Sequence, residues 1–312
     1  AKQSAIVAAY ARLGVRLTCT CAPYLSEESA RLGDHLAWSE SSAVAFANSV
    51  LGARTNREGG PGALAAAIVG RTGDFGLHRS GERQPRDRFR VSAPLETAAD
   101  WGALGAEVGR RTQGVPWIEL EGPAQASADS LTEAQLRDGL RALGAAGAAS
   151  GSLALFHVAG LTAEARAGLV APPAGEPQVI ASLRESYERL DGDTVPLDLV
   201  ASGCPHASLE QLEAVARYLD GRRVAVPLWL TVGRGVAEQA RDCGLAGRLE
   251  AVGARLVSDT CVVVAPLREM GITAVATDSA KSACYLPGHQ GVAVRFGSLE
   301  RCLDAAVRGR WA

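Results

Sequence analysis

The chain has 312 residues, of which 47% are hydrophobic and 21% charged, and its formal net charge is -2. This balance is typical of a globular protein with a buried core, and it favours neither nucleic acid nor anionic lipid as a partner. Seven cysteines, no apolar run approaching roughly 18 residues and no secretory signal together predict a cytoplasmic protein with free or metal-bound thiols, not a disulfide scaffold or a membrane protein.

Extended apolar runs alternate with amphipathic stretches along most of the chain, which predicts α/β layers with a mainly parallel sheet. The pattern predicts strands over residues 16–21, 115–120, 153–158, 197–201, 226–231, 255–258, 273–277 and 292–296. Two capping boxes, Thr132 with Gln135 and Ser208 with Gln211, place helix starts just before 136–143 and 209–219.

Two stretches, 80–90 and 171–177, are rich in proline, glycine or charge and are predicted to be surface connections. They divide the chain into a first α/β region over 1–85, a middle α/β region over 86–175 and a C-terminal α/β region over 176–312. Because the only methionine is Met270, Ala1 is not the start of translation, and we expect a further section before it.

Three cysteines stand where an extended run ends and a turn begins, namely Cys21, Cys204 and Cys261. Sites in open α/β sheets assemble at the carboxyl ends of strands, so these thiols could converge. Three thiolates on an iron–sulfur cubane would leave one iron open to polarise a hydroxyl leaving group. The alternative for each cysteine is plain packing, and Cys19 is the nearest competitor to Cys21. The remaining cysteines, Cys243, Cys284 and Cys302, lie in helical patterns and are predicted to pack.

The densest polar segment runs from Trp38 through a glycine-flanked loop that ends at Pro61. Arg54 or Arg57 could clamp a substrate carboxylate through a forked guanidinium. Glu40 or Glu58 could move a proton or orient the substrate. The alternative is a solvated helix cap and turn.

Lys281 is one of two lysines beside thirty arginines, a usage that indicates a GC-rich bacterial genome. It follows a predicted strand at the start of a helix, where backbone N–H groups and Ser279 could bind an anion. The alternative is an ordinary surface charge. His206 could orient a ligand or a substrate hydroxyl, or it could be a structural hydrogen-bond donor. We predict that His157 is buried at a strand end.

Several of these segments together resemble the catalytic large subunit of the aconitase X family, over about residues 18–310. The resemblance is carried by Ala-Pro-Tyr-Leu at 22–25, Ala-Trp-Ser-Glu-Ser-Ser-Ala at 37–43, Ala-Arg-Thr-Asn-Arg-Glu-Gly-Gly-Pro at 53–61, Gly-Cys-Pro-His-Ala-Ser at 203–208, Asp-Thr-Cys-Val at 259–262 and Thr-Asp-Ser-Ala-Lys at 277–281.

The resemblance implies an aconitase-like fold of α/β/α layered domains around a 2Fe–2S or 4Fe–4S iron–sulfur cluster held by Cys21, Cys204 and Cys261. It also implies a small swivelling subunit or domain, which these residues do not contain, and a missing N-terminal family section. The residues assigned to catalysis are Lys281, Glu58 and Arg57, and those assigned to substrate binding are Arg54, Asn56, Glu40, Ser279 and His206.

The expected function is that of an iron–sulfur hydro-lyase that dehydrates a small hydroxy acid. The first candidate reaction converts cis-3-hydroxy-L-proline to a pyrroline-2-carboxylate, which the bacterial composition favours, and the alternative substrate is mevalonate 5-phosphate. A hypothesis of another class is a non-catalytic iron–sulfur scaffold subunit, and a further one is a metal-free α/β protein with incidental cysteines.

Overall fold

The computed structural model describes residues 2–25, 30–192 and 196–311. The helices are α1 (Lys2–Arg12), α2 (Ser41–Phe46), α3 (Gly60–Val69), α4 (Ala98–Arg111), α5 (Pro123–Ser130), α6 (Glu133–Gly151), α7 (Ala163–Arg166), α8 (Arg184–Leu190), α9 (Leu209–Leu219), α10 (Arg234–Asp242), α11 (Leu245–Ala251), α12 (Ala280–Gln290) and α13 (Leu299–Arg308). The strands are β1 (Asp87–Val91), β2 (Pro116–Leu120), β3 (His157–Val158), β4 (Gln178–Ile180), β5 (Leu199–Ala207), β6 (Leu228–Val232), β7 (Ala254–Ser258), β8 (Ala274–Thr277) and β9 (Ala293–Phe296).

The strands form two sheets in which every neighbouring pair is parallel, as the alternating pattern predicts. The first sheet has the order β3-β2-β1-β4 and the second the order β7-β6-β5-β8-β9. In the second sheet the chain moves outward from β5 in one direction through β6 and β7, and in the other direction through β8 and β9. The reversal point lies between β5 and β8, where open α/β sheets form their ligand crevices.

The largest hydrophobic core joins the two sheets, because it includes Phe89 of the first sheet and Leu199 and Phe296 of the second. Helices α4 and α6 pack closely within this core. A Cβ atom on Gly105 of α4 would lie 2.2 Å from the carbonyl oxygen of Leu143, so only glycine permits this contact. None of the described helices is long and apolar enough to cross a membrane.

Most predicted elements are present. Both capping boxes are observed, and the helices they begin run over Glu133–Gly151 and Leu209–Leu219. Six of the eight predicted strands fall on β2 and on β5 to β9, and a seventh is reduced to the two residues of β3. His157 is fully buried in β3, as predicted.

The predicted strand at 16–21 is wrong, because the described residues of this segment form no strand. Cys19 has a φ of 47°, which interrupts an extended backbone. Strands β1 and β4 were not predicted, and β1 begins inside the supposed surface connection at 80–90. Its charged residues are accommodated by ion pairs to the neighbouring strand and the loop after it, Arg88 with Glu119 and Arg90 with Glu121.

Candidate active site

Cys204 lies in an irregular part of β5, directly beside the reversal point of the second sheet. The pairing of β5 with β6 shifts register between Ser202 and Ala207. Gly203 makes this irregularity possible, because it has a φ of 93° and a Cβ atom there would lie 2.3 Å from the carbonyl oxygen of Thr231. The hydroxyl of Ser279 donates a hydrogen bond of 2.6 Å to the carbonyl oxygen of Cys204, which ties β5 to the start of α12.

The other two predicted ligands reach the same edge from different directions. Cys21 accepts a hydrogen bond of 3.3 Å at its sulfur from the backbone N–H of His206. Cys261 follows β7 after a turn at Asp259, whose φ is 66°. All three thiols are half-buried.

Electrostatic interactions link the three thiols. The pKa of Cys21 is raised to about 12, first by burial and then by the neighbouring Cys204. The pKa of Cys204 is also raised, first by burial; Lys281 opposes this increase, and Cys261 adds to it. Cys204 therefore lies within electrostatic range of both other cysteines, and the metal-free thiols of Cys21 and Cys204 are protonated at neutral pH.

These thiols suit a cluster better than a single ion. Among the described residues, no three His, Cys, Asp or Glu side chains are grouped to hold one metal ion. In a cluster each thiolate binds a different iron, so the sulfur atoms do not need to meet at a single point. Binding to iron would also deprotonate Cys21 and Cys204, whose pKa values are otherwise high. Three neighbouring thiols on separate segments therefore fit the ligand set of an iron–sulfur cluster.

Lys281, which is buried, and Glu40, whose side chain is 31% exposed, form an ion pair beside these thiols. Each of the two belongs to a helix N-terminus, because Glu40 caps α2 by accepting a 2.8 Å hydrogen bond from Ala43 N–H, and Lys281 is the second residue of α12. Burial lowers the pKa of Lys281, but Cys204 and Glu40 raise it by more, so its pKa lies above the ordinary value and the amine stays charged.

Ser42 completes this group, although the sequence analysis did not select it. Its hydroxyl donates a 2.5 Å hydrogen bond to Glu40 and accepts one of 3.3 Å from Lys281. The side chain is fully buried. Its sequence signal is its place within the Ser-Glu-Ser-Ser motif at 39–42, which any serine-rich helix start would share.

An open cleft of about 630 Å³ lies beside Glu40 of this group. It is lined by α1 and by the side chains of Thr20, Cys21, Glu40, Arg234 and Asp259. The cleft is large enough for a small hydroxy acid, and it leads directly to one of the predicted cluster ligands.

The predicted substrate loop at 54–58 makes mostly local contacts. Arg54 donates to the carbonyl oxygen of His78 at 2.8 Å and to the hydroxyl of Ser80 at 2.9 Å. The Asn56 amide bonds the backbone of Phe75 and Leu77, at 3.1 and 2.9 Å.

The two remaining residues of this loop differ in their surroundings. Glu58 accepts a 3.3 Å hydrogen bond from Thr72, and its own N–H donates to the carbonyl oxygen of Trp38, two residues before Glu40. Arg57 is exposed. The structure therefore brings Glu40, Ser279 and Lys281 to the cysteines, whereas the polar contacts found for Arg54, Asn56 and Glu58 tie them mainly to their own segment.

A buried arginine that was not among the predicted site residues bonds the backbone next to this loop. Arg83 uses all five of its N–H donors, and its partners are Glu164, Asn48 twice, Leu77 and Ala53, at 2.7 to 3.1 Å. It lies in the stretch predicted to be a surface connection. A charged residue inside a polar stretch has no local signature of burial, so only the packed structure reveals this role.

Fold and site together define an α/β protein with a thiol-lined cleft at the carboxyl edge of a parallel sheet. Family models of aconitase X match nearly the whole chain: the first domain over 1–81, the second over 85–183 and the third over 197–308. The chain belongs to the aconitase X family, which confirms the predicted family and α/β fold.

Relatives with known names support the same assignment. The phosphomevalonate dehydratase large subunit of Methanothermobacter thermautotrophicus is 42% identical over 93% of this chain and 70% of its own length. The cis-3-hydroxy-L-proline dehydratase of Pseudomonas aeruginosa is 39% identical over 98% of this chain and 53% of its own length. Both names denote dehydratases, and this chain is an enzyme of the same class, the hydro-lyases.

A solved structure gives the same result for the fold. The holo-form of aconitase X from Thermococcus kodakaraensis is 37% identical to this chain and superposes with a TM-score of 0.86, covering 98% of this chain and 76% of that one.

Proposed function

We propose that the chain binds an iron–sulfur cluster through Cys21, Cys204 and Cys261 and removes water from a small hydroxy acid in the adjoining cleft. The observation that carries this proposal is the electrostatic linkage of the three thiols beside the partly buried Lys281–Glu40 pair. When bound, the cluster supplies a Lewis acid for the leaving hydroxyl.

Lys281 holds the substrate in this proposal. Its amine stays charged, and it is only 8% exposed, so a carboxylate that reaches it forms a strong charge-assisted hydrogen bond. A substrate carboxylate would replace Glu40 as the counter-ion of Lys281 and free one oxygen of Glu40 to accept a proton. Ser42 bonds both residues and can carry a proton between them. Arg57, which is exposed, is proposed to close on the substrate from the loop, together with Glu58.

The charge of the cleft favours a carboxylate over a phosphate monoester. Lys281 is paired with Glu40, and Arg234, which lines the cleft, is paired with Asp259 at 2.5 and 2.9 Å. A phosphate needs several cationic or backbone donors that are not already neutralised. We therefore propose cis-3-hydroxy-L-proline as the first candidate substrate. Mevalonate 5-phosphate is the second, supported by the 42% identity to the phosphomevalonate enzyme.

A partner subunit also belongs to the proposal. Several relatives are named large subunits, which implies a smaller one in those enzymes. We propose that a small swivelling subunit or domain closes over the cleft of this chain.

Anaerobic reconstitution with iron and sulfide, followed by assays of both substrates with the small subunit added, tests the proposal. We expect visible cluster absorbance and turnover of one substrate. Cys204→Ser should abolish both, whereas the matched control Cys243→Ser, at an exposed cysteine outside the site, should change neither. A loaded cluster without turnover of either substrate would support the non-catalytic scaffold instead.

A further inference from the structure

His206 contacts all three cysteine-bearing segments at once. It lies two residues after Cys204, and its backbone N–H donates to the sulfur of Cys21 at 3.3 Å. Its ring bonds Thr20, which precedes Cys21, at 3.0 Å, and the carbonyl oxygen of Thr260, which precedes Cys261, at 3.2 Å.

The hydrogen-bond network assigns the tautomer of this ring. The carbonyl oxygen of Thr260 can only accept, so Nε2 carries the proton and Nδ1 accepts from the hydroxyl of Thr20. Thr20 in turn accepts a 3.0 Å hydrogen bond from the backbone N–H of Ala22. Both ring nitrogens are therefore occupied, and the residue is only 3% exposed. No ring nitrogen is left for a substrate, which argues against the predicted substrate-binding role of His206.

The position of His206 itself is held from the opposite side. Arg141 of α6, which is buried, donates to the carbonyl oxygen of His206 at 3.2 Å. The two segments that the ring joins are not part of a strand at Cys21 or at Cys261. Residues 16–21 form no strand, and Cys261 follows the left-handed turn at Asp259.

We infer that His206 is a positioning residue that aligns the three cysteine-bearing segments before the cluster binds. Cluster binding by the cysteines rests on the proposed function, but the alignment of the three segments is a property of the metal-free chain. A second tie joins the same two segments at the surface, where Arg234 bonds Asp259 and the carbonyl oxygen of Leu17 at 3.1 Å. Because exposed ion pairs contribute little, this outer tie should matter less than the buried ring.

Hydrogen exchange measured by mass spectrometry on the full metal-free chain tests the alignment directly. His206→Ala should speed exchange in peptides covering 17–25 and 256–265 by about tenfold, the effect of losing about one net hydrogen bond. Thr20→Val removes the bond to the ring on one side, together with the local bond from Ala22 N–H, and should affect mainly 17–25 while leaving 256–265 unchanged. The matched controls are Arg234→Ala, for the outer tie, and His157→Ala, for a buried histidine in the other sheet.

Two results of this experiment would overturn the inference. One is unchanged exchange of both peptides in His206→Ala. The other is an equal increase in those peptides in His157→Ala, which would show general loosening of the protein. If His206→Ala does not fold, Thr20→Val decides, because it leaves the imidazole in place and an unchanged 17–25 peptide then contradicts the inference.

Cluster spectroscopy supplies a second readout. After anaerobic reconstitution, His206→Ala should change the electron paramagnetic resonance signal of the reduced cluster and lose iron in air several times faster than the unmodified chain. His206→Gln should recover part of this loss, since its amide can still donate to the carbonyl oxygen of Thr260. An unaltered signal with unaltered iron loss contradicts the inference. If even the unmodified chain binds no cluster, the proposed function fails, while the exchange experiment still decides the role of His206.

Discussion

Lys281 and the loop at 54–58 both lie in polar segments beside a turn. Their side chains differ in how far along the chain their bonding partners lie. Lys281 pairs with Glu40, which lies 241 residues away along the chain. Asn56 bonds Phe75, only 19 residues away, and Arg54 bonds Ser80, 26 residues away. The first group joins distant parts of the chain at the cleft, whereas the second mostly shapes its own segment.

This difference separates residues that bind a ligand from residues that shape a loop. The ion pair of the buried Lys281 with the partly exposed Glu40 costs desolvation energy, chiefly at the lysine, and adds little net stability. Its position beside a cleft and three thiols therefore indicates a role in binding. Amide and guanidinium bonds to nearby carbonyl groups, in contrast, satisfy the backbone of an irregular loop.

Replacing Lys281 should cause the largest loss of activity. We expect Lys281→Ala to lower kcat by about 10²–10⁴ in the reconstituted enzyme, the range for losing a positioned charged group at a reacting centre. Lys281→Arg, which keeps the charge but changes its geometry, should retain more activity. Loss of less than tenfold in Lys281→Ala would mean that the amine is only a structural counter-ion of Glu40.

Arg83 should be the most important stabilising residue of the loop side. Arg83→Met removes five hydrogen bonds and leaves the carboxylate of Glu164, which is 4% exposed, without its partner. We expect the free energy of unfolding to fall by about 3–5 kcal/mol in urea denaturation. The control Arg79→Ala breaks an ion pair to Asp74 whose side chains are 60% and 81% exposed, and it should cost about 0–1 kcal/mol. Similar losses in both variants would contradict this role.

Asp278, next to the Lys281 group, should make stability depend on pH. Burial raises the pKa of its carboxyl to about 6, above the roughly 3.9 of an unfolded chain. Its contribution to stability is therefore complete below about pH 4 and is lost as the pH rises through about 6.

Asp278→Asn should for this reason stabilise the metal-free protein by about 1–3 kcal/mol at pH 8 and give no advantage at pH 4. Urea midpoints measured across this range, with Asp74→Asn as an exposed control, check the prediction. An advantage that does not change with pH would show that the Asp278 carboxyl is not buried in its protonated form.

The smallest effect is expected at Asn56. If its amide only shapes the loop, Asn56→Ala should lower the free energy of unfolding by about 1 kcal/mol and change kcat/KM by about tenfold or less. If the amide instead binds the substrate, as its place in the family motif predicts, kcat/KM should fall by a larger factor at unchanged stability. Measuring both quantities on the same variant distinguishes the two roles.

The regular parts of this protein could be predicted from the sequence because they depend on neighbouring residues. The capping boxes at Thr132 and Ser208 involve residues three positions apart, and both are observed. Alternating apolar runs predict the strands that precede Cys204 and Lys281, although β5 itself continues through Cys204 to Ala207. The general rule for the carboxyl ends of strands then places these residues at one edge of the sheet.

The failures have the opposite cause. The left-handed conformation of Cys19 ends the predicted strand at 16–21. Strand β1 looked like a surface connection because its arginines find acidic partners only after β2 packs beside it. No pattern within a few residues contains this information.

By itself, the sequence determined the α/β class, most of the strands, the helix starts and the set of candidate thiols and charges. Only the tertiary structure decided that Glu40 and Ser42 face Lys281, that the ring of His206 is fully occupied and that Arg83 is buried behind the substrate loop. The physical reason is range: helix caps and strand alternation depend on residues a few positions apart, whereas the partners of a buried polar group are set by packing between segments far apart along the chain.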